Sequence, residues 1–216
     1  MKKLWEKVRM FQDGEIPGPK WTDPLSLSFP VETEIAFMEY FFKLTLTRFR
    51  PALVLGMLLY GLFGVLDYLW LPEVLGPFLL IRFGIVMPIG FVIYLVSFRD
   101  IFRKFYQLFS ILYMLAAGIG IVIMTLIQPQ YTETYYVGII LVLIFIYILS
   151  GLRFYWAAAS GGIIVISYII GIQWVTNEPW FYHVDNYFFL TGSNMLLMLG
   201  GYFMELFYRR EFLLQR

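Results

Sequence analysis

The sequence contains no cysteine. That excludes a disulfide framework, a thiolate nucleophile and any Cys-based zinc or iron–sulfur site. It has one histidine, His183, so a bis-histidine haem site within a helix bundle is excluded too. Charge is scarce: 14% of the 216 residues are charged, against about 25% in a soluble domain. No Walker loop, GxGxxG, HExxH or GxSxG motif stands where it would act, and nothing else marks this chain as an enzyme. Residues 1–10 are basic, but the apolar core that a secretory signal requires does not follow them. A polar stretch with Pro and Gly follows instead, at 13–30, so the N-terminus is expected to stay on the side where it is made.

What is present is apolar. The chain is 60% hydrophobic and 20% aromatic, with a mean hydropathy of +0.74. The unit to count is therefore the span of about 20 residues that crosses a bilayer. The sequence predicts an all-α integral membrane protein, a bundle of six transmembrane helices over 51–208. The spans fall at about 51–70, 76–97, 106–127, 135–152, 155–175 and 187–208. Ahead of them lie a cytoplasmic segment, 1–30, and an amphipathic interfacial helix, 31–49. On that helix Ile35, Met38 and Phe42 share one face, and Glu32, Glu39 and Lys43 share another. Pro51 then suits the first turn of a new helix. Residues 209–216 begin a cytoplasmic helix.

Lys and Arg set the orientation, because a basic excess near span ends marks the cytoplasmic side. Of the 16 basic residues, eight precede the first span. Arg99, Arg103 and Lys104 follow the second, Arg153 follows the fourth, and Arg209, Arg210 and Arg216 follow the sixth. The loops 71–75, 128–134 and 176–186 have neither Lys nor Arg, and carry Glu73, Glu133, Glu178, His183 and Asp185. Both termini are thus expected inside. Trp70, Tyr131, Tyr135, Tyr136, Trp174, Trp180 and Tyr182 gather at the proposed outer boundary, as interfacial aromatics do. Ala116/Gly120, Ala157/Gly161 and Ala158/Gly162 have the small-xxx-small spacing that lets helices approach, and read as internal packing before a dimer face.

Only Arg82 among the basic residues falls inside a span, and Asp67 is its natural partner. Counted from a turn near Val74, each lies about 10–12 Å along its helix at 1.5 Å per residue, so both sit at similar depth. The pair reads either as a clamp on the first helical hairpin or as the lining of a ligand pocket or switch. Asn194, with Thr191 and Ser193, adds groups on the sixth span that hydrogen-bond across helices or, for Asn194, line the same pocket as Asp67 and Arg82. Pro77 and Pro88 are placed to kink or open the second span. On the outer side Glu133, His183 and Asp185 offer oxygen and imidazole ligands for a divalent cation or another ligand, though acids are also what positive-inside bias leaves there. No other cofactor and no nucleic-acid partner is expected. Past the sixth span, Glu205 and Arg209 form an i,i+4 pair beside Arg210, on a helix with no stop signal.

Several segments carry a family resemblance: Glu39-Tyr40-Phe41, Arg48-Phe49-Arg50, Leu62-Phe63-Gly64-Val65-Leu66-Asp67, Arg82-Phe83 with Pro88 following, and the exit from Glu205 to Arg216. In these the chain resembles the six-span N-terminal membrane domain of bacterial, especially cyanobacterial, class III adenylate/guanylate cyclases. The resemblance implies a multi-pass protein of the bacterial cytoplasmic membrane that forms a homodimer. It implies a receptor for a small or lipophilic ligand, passing signals through Glu205, Arg209 and Arg210 to an attached cytoplasmic cyclase domain. Related six-span modules precede diguanylate cyclases and histidine kinases, and a passive membrane anchor or oligomerisation scaffold would need the same spans.

Overall fold

A bilayer offers backbone groups no hydrogen-bond partners, so an apolar chain crossing it must satisfy them within its own helices. The computed structural model describes residues 27–129, 132–176 and 178–215, excluding the side chains of 132–134. The predicted cytoplasmic segment up to residue 26, Tyr131, Arg216 and the Glu133 side chain lie outside that set. The helices of the described residues form six runs. They are α1 (Val31–Trp70), α2 (Pro72–Val96), α3 (Asp100–Ile127), α4 (Thr132–Ile144, continued by Phe145–Leu149), α5 (Phe154–Thr176) and α6 (Val184–Gln215). α1, α2, α3 and α5 are long and apolar enough to cross a membrane, and Tyr135–Leu149 of α4 is a shorter apolar helix. α6 is more polar because Asn186, Thr191, Ser193 and Asn194 interrupt its apolar run. Four to six helices are thus candidates for spanning.

The chain divides into two compact units, Thr45–Gly201 and a smaller one made of Met1–Leu44 with Tyr202–Arg216. In the larger unit α3 packs against α2, α4 and α5, and glycine makes the closest approaches possible. A Cβ at Gly118 would lie 2.3 Å from Ile164 Cδ1, and one at Gly120 would lie 2.7 Å from the Tyr60 hydroxyl. Gly161 is equally tight, 2.6 Å from Asn194 Oδ1, whereas Gly162 has nothing within 4 Å. Small-residue positions therefore serve packing inside the bundle at Gly120 and Gly161. Gly118, outside the predicted pairs, is the tightest of the three.

Two local differences from the sequence reading affect the site. α1 runs unbroken through Pro51, where a new helix was expected to start. The missing Pro51 N–H costs one helical bond, and contacts of the two residues just before it hold the helix in place. Phe49 packs on Phe102 at 5.3 Å. Arg50 bonds the Ser97 carbonyl at 2.6 Å, capping the end of α2, and lies 4.0 Å over the Phe98 ring. The second difference is in α2. Between Pro77 and Pro88 the helix widens into a π-helical segment, Leu80–Val86, in which the Met87 N–H bonds the Arg82 carbonyl five residues back. Pro88 has no N–H for the carbonyl four residues before it and its ring crowds that carbonyl; the wider turn relieves both. α4 ends in a second π segment, Phe145–Leu149, with Ser150 N–H bonded to the Phe145 carbonyl at 2.9 Å.

In the smaller unit the buried face of α1 carries Phe37 and Phe41 rather than the expected Ile35, Met38 and Phe42; Ile35 is 67% exposed. Phe37 packs edge-on to Phe212 at 5.6 Å and to Phe29 at 5.6 Å. This stretch of α1 thus buries one face, Phe37 and Phe41, against protein, and leaves Ile35 of the face expected to rest on the membrane exposed. The predicted Glu39–Lys43 pair is formed on the outside at 3.3 Å.

Candidate functional site

The larger unit contains a cavity of about 220 Å³ lined by α1, α2, α3 and α4. Nearly all of its lining is aliphatic or aromatic, and its charged residues are Asp67 and Arg82. Both are buried, Asp67 at 1% and Arg82 at 2% exposure. Arg82 Nε donates to Asp67 Oδ2 at 2.5 Å and Nη2 donates to Oδ1 at 3.2 Å, the two-pronged geometry that makes Arg–carboxylate pairs strong and directional. Nη1 donates to the Tyr60 carbonyl at 3.3 Å, and the guanidinium carbon lies 5.0 Å from the Tyr60 ring. Tyr135 donates a short hydroxyl hydrogen bond to Asp67 Oδ1. A lone charge here would be costly to desolvate; a neutral, fully engaged pair is the form in which such residues persist.

The register of the helices places this polar cluster at one end of the cavity. α1 and α4 run antiparallel along it, with Asp67 bonded to Tyr135 at one end and Gly56 against the Phe145 ring at the other. From Asp67 to Leu55 the lining extends about 18 Å at 1.5 Å per residue. Both π segments contribute, one presenting Arg82 and the other Phe145 and Leu149. Such bulges often mark functional sites.

Asn194, expected beside this pair, is elsewhere. It accepts from the Tyr147 hydroxyl at 3.0 Å and closes on Gly161, so it joins α6 to α4 and α5 and is absent from the cavity lining. On the proposed outer side His183 is buried, with Nε2 3.1 Å from Glu178 and 3.4 Å from Thr176 Oγ1. Asp185 is exposed. Among the described residues no three His, Asp or Glu side chains are grouped for a metal, and the Glu133 side chain is outside them.

The smaller unit holds a second charged cluster. Arg209, fully buried, bonds Glu205 at 2.9 Å and both carboxylate oxygens of Glu34, at 2.9 and 3.0 Å. Its guanidinium lies 4.3 Å from the Phe37 ring and 4.8 Å from the Phe29 ring. Burial works to lower its pKa, but the hydrogen bonds and charges of Glu34 and Glu205 outweigh it and raise the value. Arg209 therefore stays protonated and clasps the start of α1 to the end of α6. Arg210 is exposed. Glu34 was not among the sequence candidates; its spacing of three from Phe37 and seven from Phe41, on what proves the buried face, was the available signal.

A family model, MASE8, matches residues 65–216, more than two thirds of the chain. The matched stretch includes Asp67, Arg82, Tyr135, Glu205 and Arg209 but begins after Tyr60 and Glu34. No curated protein matches the chain.

Proposed function

The chain belongs to the MASE8 family of membrane-associated sensor domains, and from that premise we propose that it senses a ligand within the membrane and regulates an attached enzyme without catalysing a reaction itself. The observation that carries this reading is the buried Asp67–Arg82–Tyr135 network at one end of an apolar cavity. A passive anchor has no use for a cavity with an ion pair in its wall. In this reading the six helices all span, both termini are cytoplasmic by the distribution of Lys and Arg, and the membrane is the bacterial inner membrane. Two copies pair, and the regulated domain is a class III nucleotidyl cyclase, in keeping with the resemblance of the segments around Asp67, Arg82 and Glu205. α1 and α6 each contribute residues to both units, which makes them the candidates to carry a change at the cavity toward the Arg209 clasp. A ligand achieves this only by binding one arrangement better than the other.

Fusion of the whole chain to a cyclase catalytic domain tests the reading. Inserting four residues between Arg216 and the fused domain shifts the helical phase by about 40° at 3.6 residues per turn and leaves the Arg209 clasp intact. Such insertions are expected to change cyclase activity several-fold and to alter its response to membrane composition. Activity indifferent to both helix phase and membrane composition would leave only an anchor.

A further inference from the structure

The cavity's shape and charge specify the class of ligand, an inference that rests on the sensor reading and deepens it. The cavity is long relative to its volume: about 220 Å³ extends over about 18 Å of helix, a slot and not a chamber. One leaflet of a bilayer is about 15 Å of hydrocarbon, so the slot takes one extended chain of membrane-lipid length with its head group. Several lining residues are also exposed on the flank of the larger unit, Leu55 at 48%, Leu59 at 45% and Leu141 at 44%. A ligand can therefore enter sideways from the lipid phase.

The polar end sets the head group. Asp67 and Arg82 cancel each other, and Tyr135, whose one O–H is given to Asp67, adds no charge. An anionic head would leave a net negative charge in a dry site, and a cationic head a net positive one; each bears the desolvation penalty of an uncompensated buried ion. A neutral head does not. Arg82 directs three of its N–H donors to Asp67 and the Tyr60 carbonyl, and a guanidinium has five. A fourth N–H lies toward the Tyr135 oxygen, so one donor remains for an acceptor such as an ester or ketone carbonyl or a hydroxyl. We propose that the slot lined by α1, α2, α3 and α4 binds an uncharged single-chain amphiphile, its acceptor head on Arg82 and its chain lying toward Leu55 and Leu149.

The test uses the full chain in nanodiscs, with native mass spectrometry of the lipid it retains after incubation with monoolein, oleate or hexadecane. Wild-type protein is expected to retain one monoolein, with oleate and hexadecane at least about ten-fold weaker. Asp67→Asn leaves Arg82 uncompensated and is expected to reverse the preference in favour of oleate. Gly138 lines the slot, and a Cβ there would sit 3.4 Å from Ile121 Cδ1, an ordinary contact. Gly138→Leu therefore fills the slot and should abolish monoolein retention; Leu141→Trp on the exposed rim is the second blocking variant should the first fail to fold. No retention of monoolein by the wild type, equal retention of oleate, an unchanged preference in Asp67→Asn, or retention surviving in the folded blocking variants would each overturn the proposal. Such a failure is separable from failure of the sensor reading, because a sensor with its ligand elsewhere still responds to helix phase in the cyclase fusion.

Discussion

At the residue scale, the account depends on two ion clusters buried in apolar surroundings. Removing one partner of a buried pair strands the other without water, at a cost of about 3–5 kcal/mol, whereas neutralising both is far milder. Arg82→Gln is thus expected to lower the melting midpoint in detergent sharply, and Asp67→Asn/Arg82→Gln to recover most of that loss. A double variant as unstable as the single would mean the two residues act independently. The same logic applies at Arg209, where Lys cannot reproduce the forked contact with Glu34 together with the bond to Glu205. Arg209→Lys should destabilise the fold by about 1–3 kcal/mol, read from the same melting curves. Asp67 and Arg82 were legible in the sequence because charges are conspicuous in apolar runs and helix rise gave their depths. Tyr135 was read only as an interfacial aromatic, since nothing in its local sequence says that its hydroxyl turns inward to Asp67. Asn194 bonds across helices, as its residue type suggested, but outside the cavity, because a polar residue on a helix does not reveal which neighbour it faces.

At the scale of elements, the helices were legible nearly to their ends, since long apolar runs separated by polar loops leave few alternatives. Their internal irregularities were not. The π segment Leu80–Val86 follows from how Pro88 and packing against α3 are reconciled, and prolines alone allow a kink as readily as a wide turn. Likewise Pro51 resembled a helix start because Pro favours the first turn, yet Phe49 on Phe102 and Arg50 on the end of α2 carry α1 through it. Gly151 closes α4 with φ +67°, and a Cβ there would meet Thr45 Cγ2 at 2.0 Å. Its carbonyl also accepts from Gln107 Nε2 at 3.4 Å. Gly151→Ala is accordingly expected to cost about 1–3 kcal/mol through backbone strain and the clash. Unchanged thermal stability in that variant would mean the turn readily adopts another conformation.

At the scale of the molecule, orientation rests on charge asymmetry alone, and the absence of cysteine makes it directly testable. Glu73 and Asp185 stand in the first turns of α2 and α6, beside connections without Lys or Arg, and Arg103 stands at the start of α3 beside Arg99 and Lys104; all three are exposed. Single Glu73→Cys and Asp185→Cys variants should react with a membrane-impermeant maleimide in intact cells, and Arg103→Cys only after permeabilisation. The reverse pattern would invert the topology. Beyond topology, the proposed sensor couples the cavity pair to the end of α6. Amide hydrogen exchange in nanodiscs, comparing wild type with Asp67→Asn/Arg82→Gln, measures this most directly, because that double change alters the cavity's polar end while largely preserving stability. Exchange across residues 202–215 is expected to shift by about five-fold or more, the lower end of ordinary allosteric coupling; a change confined to Thr45–Gly201 would show that the cavity pair and the end of α6 are not coupled.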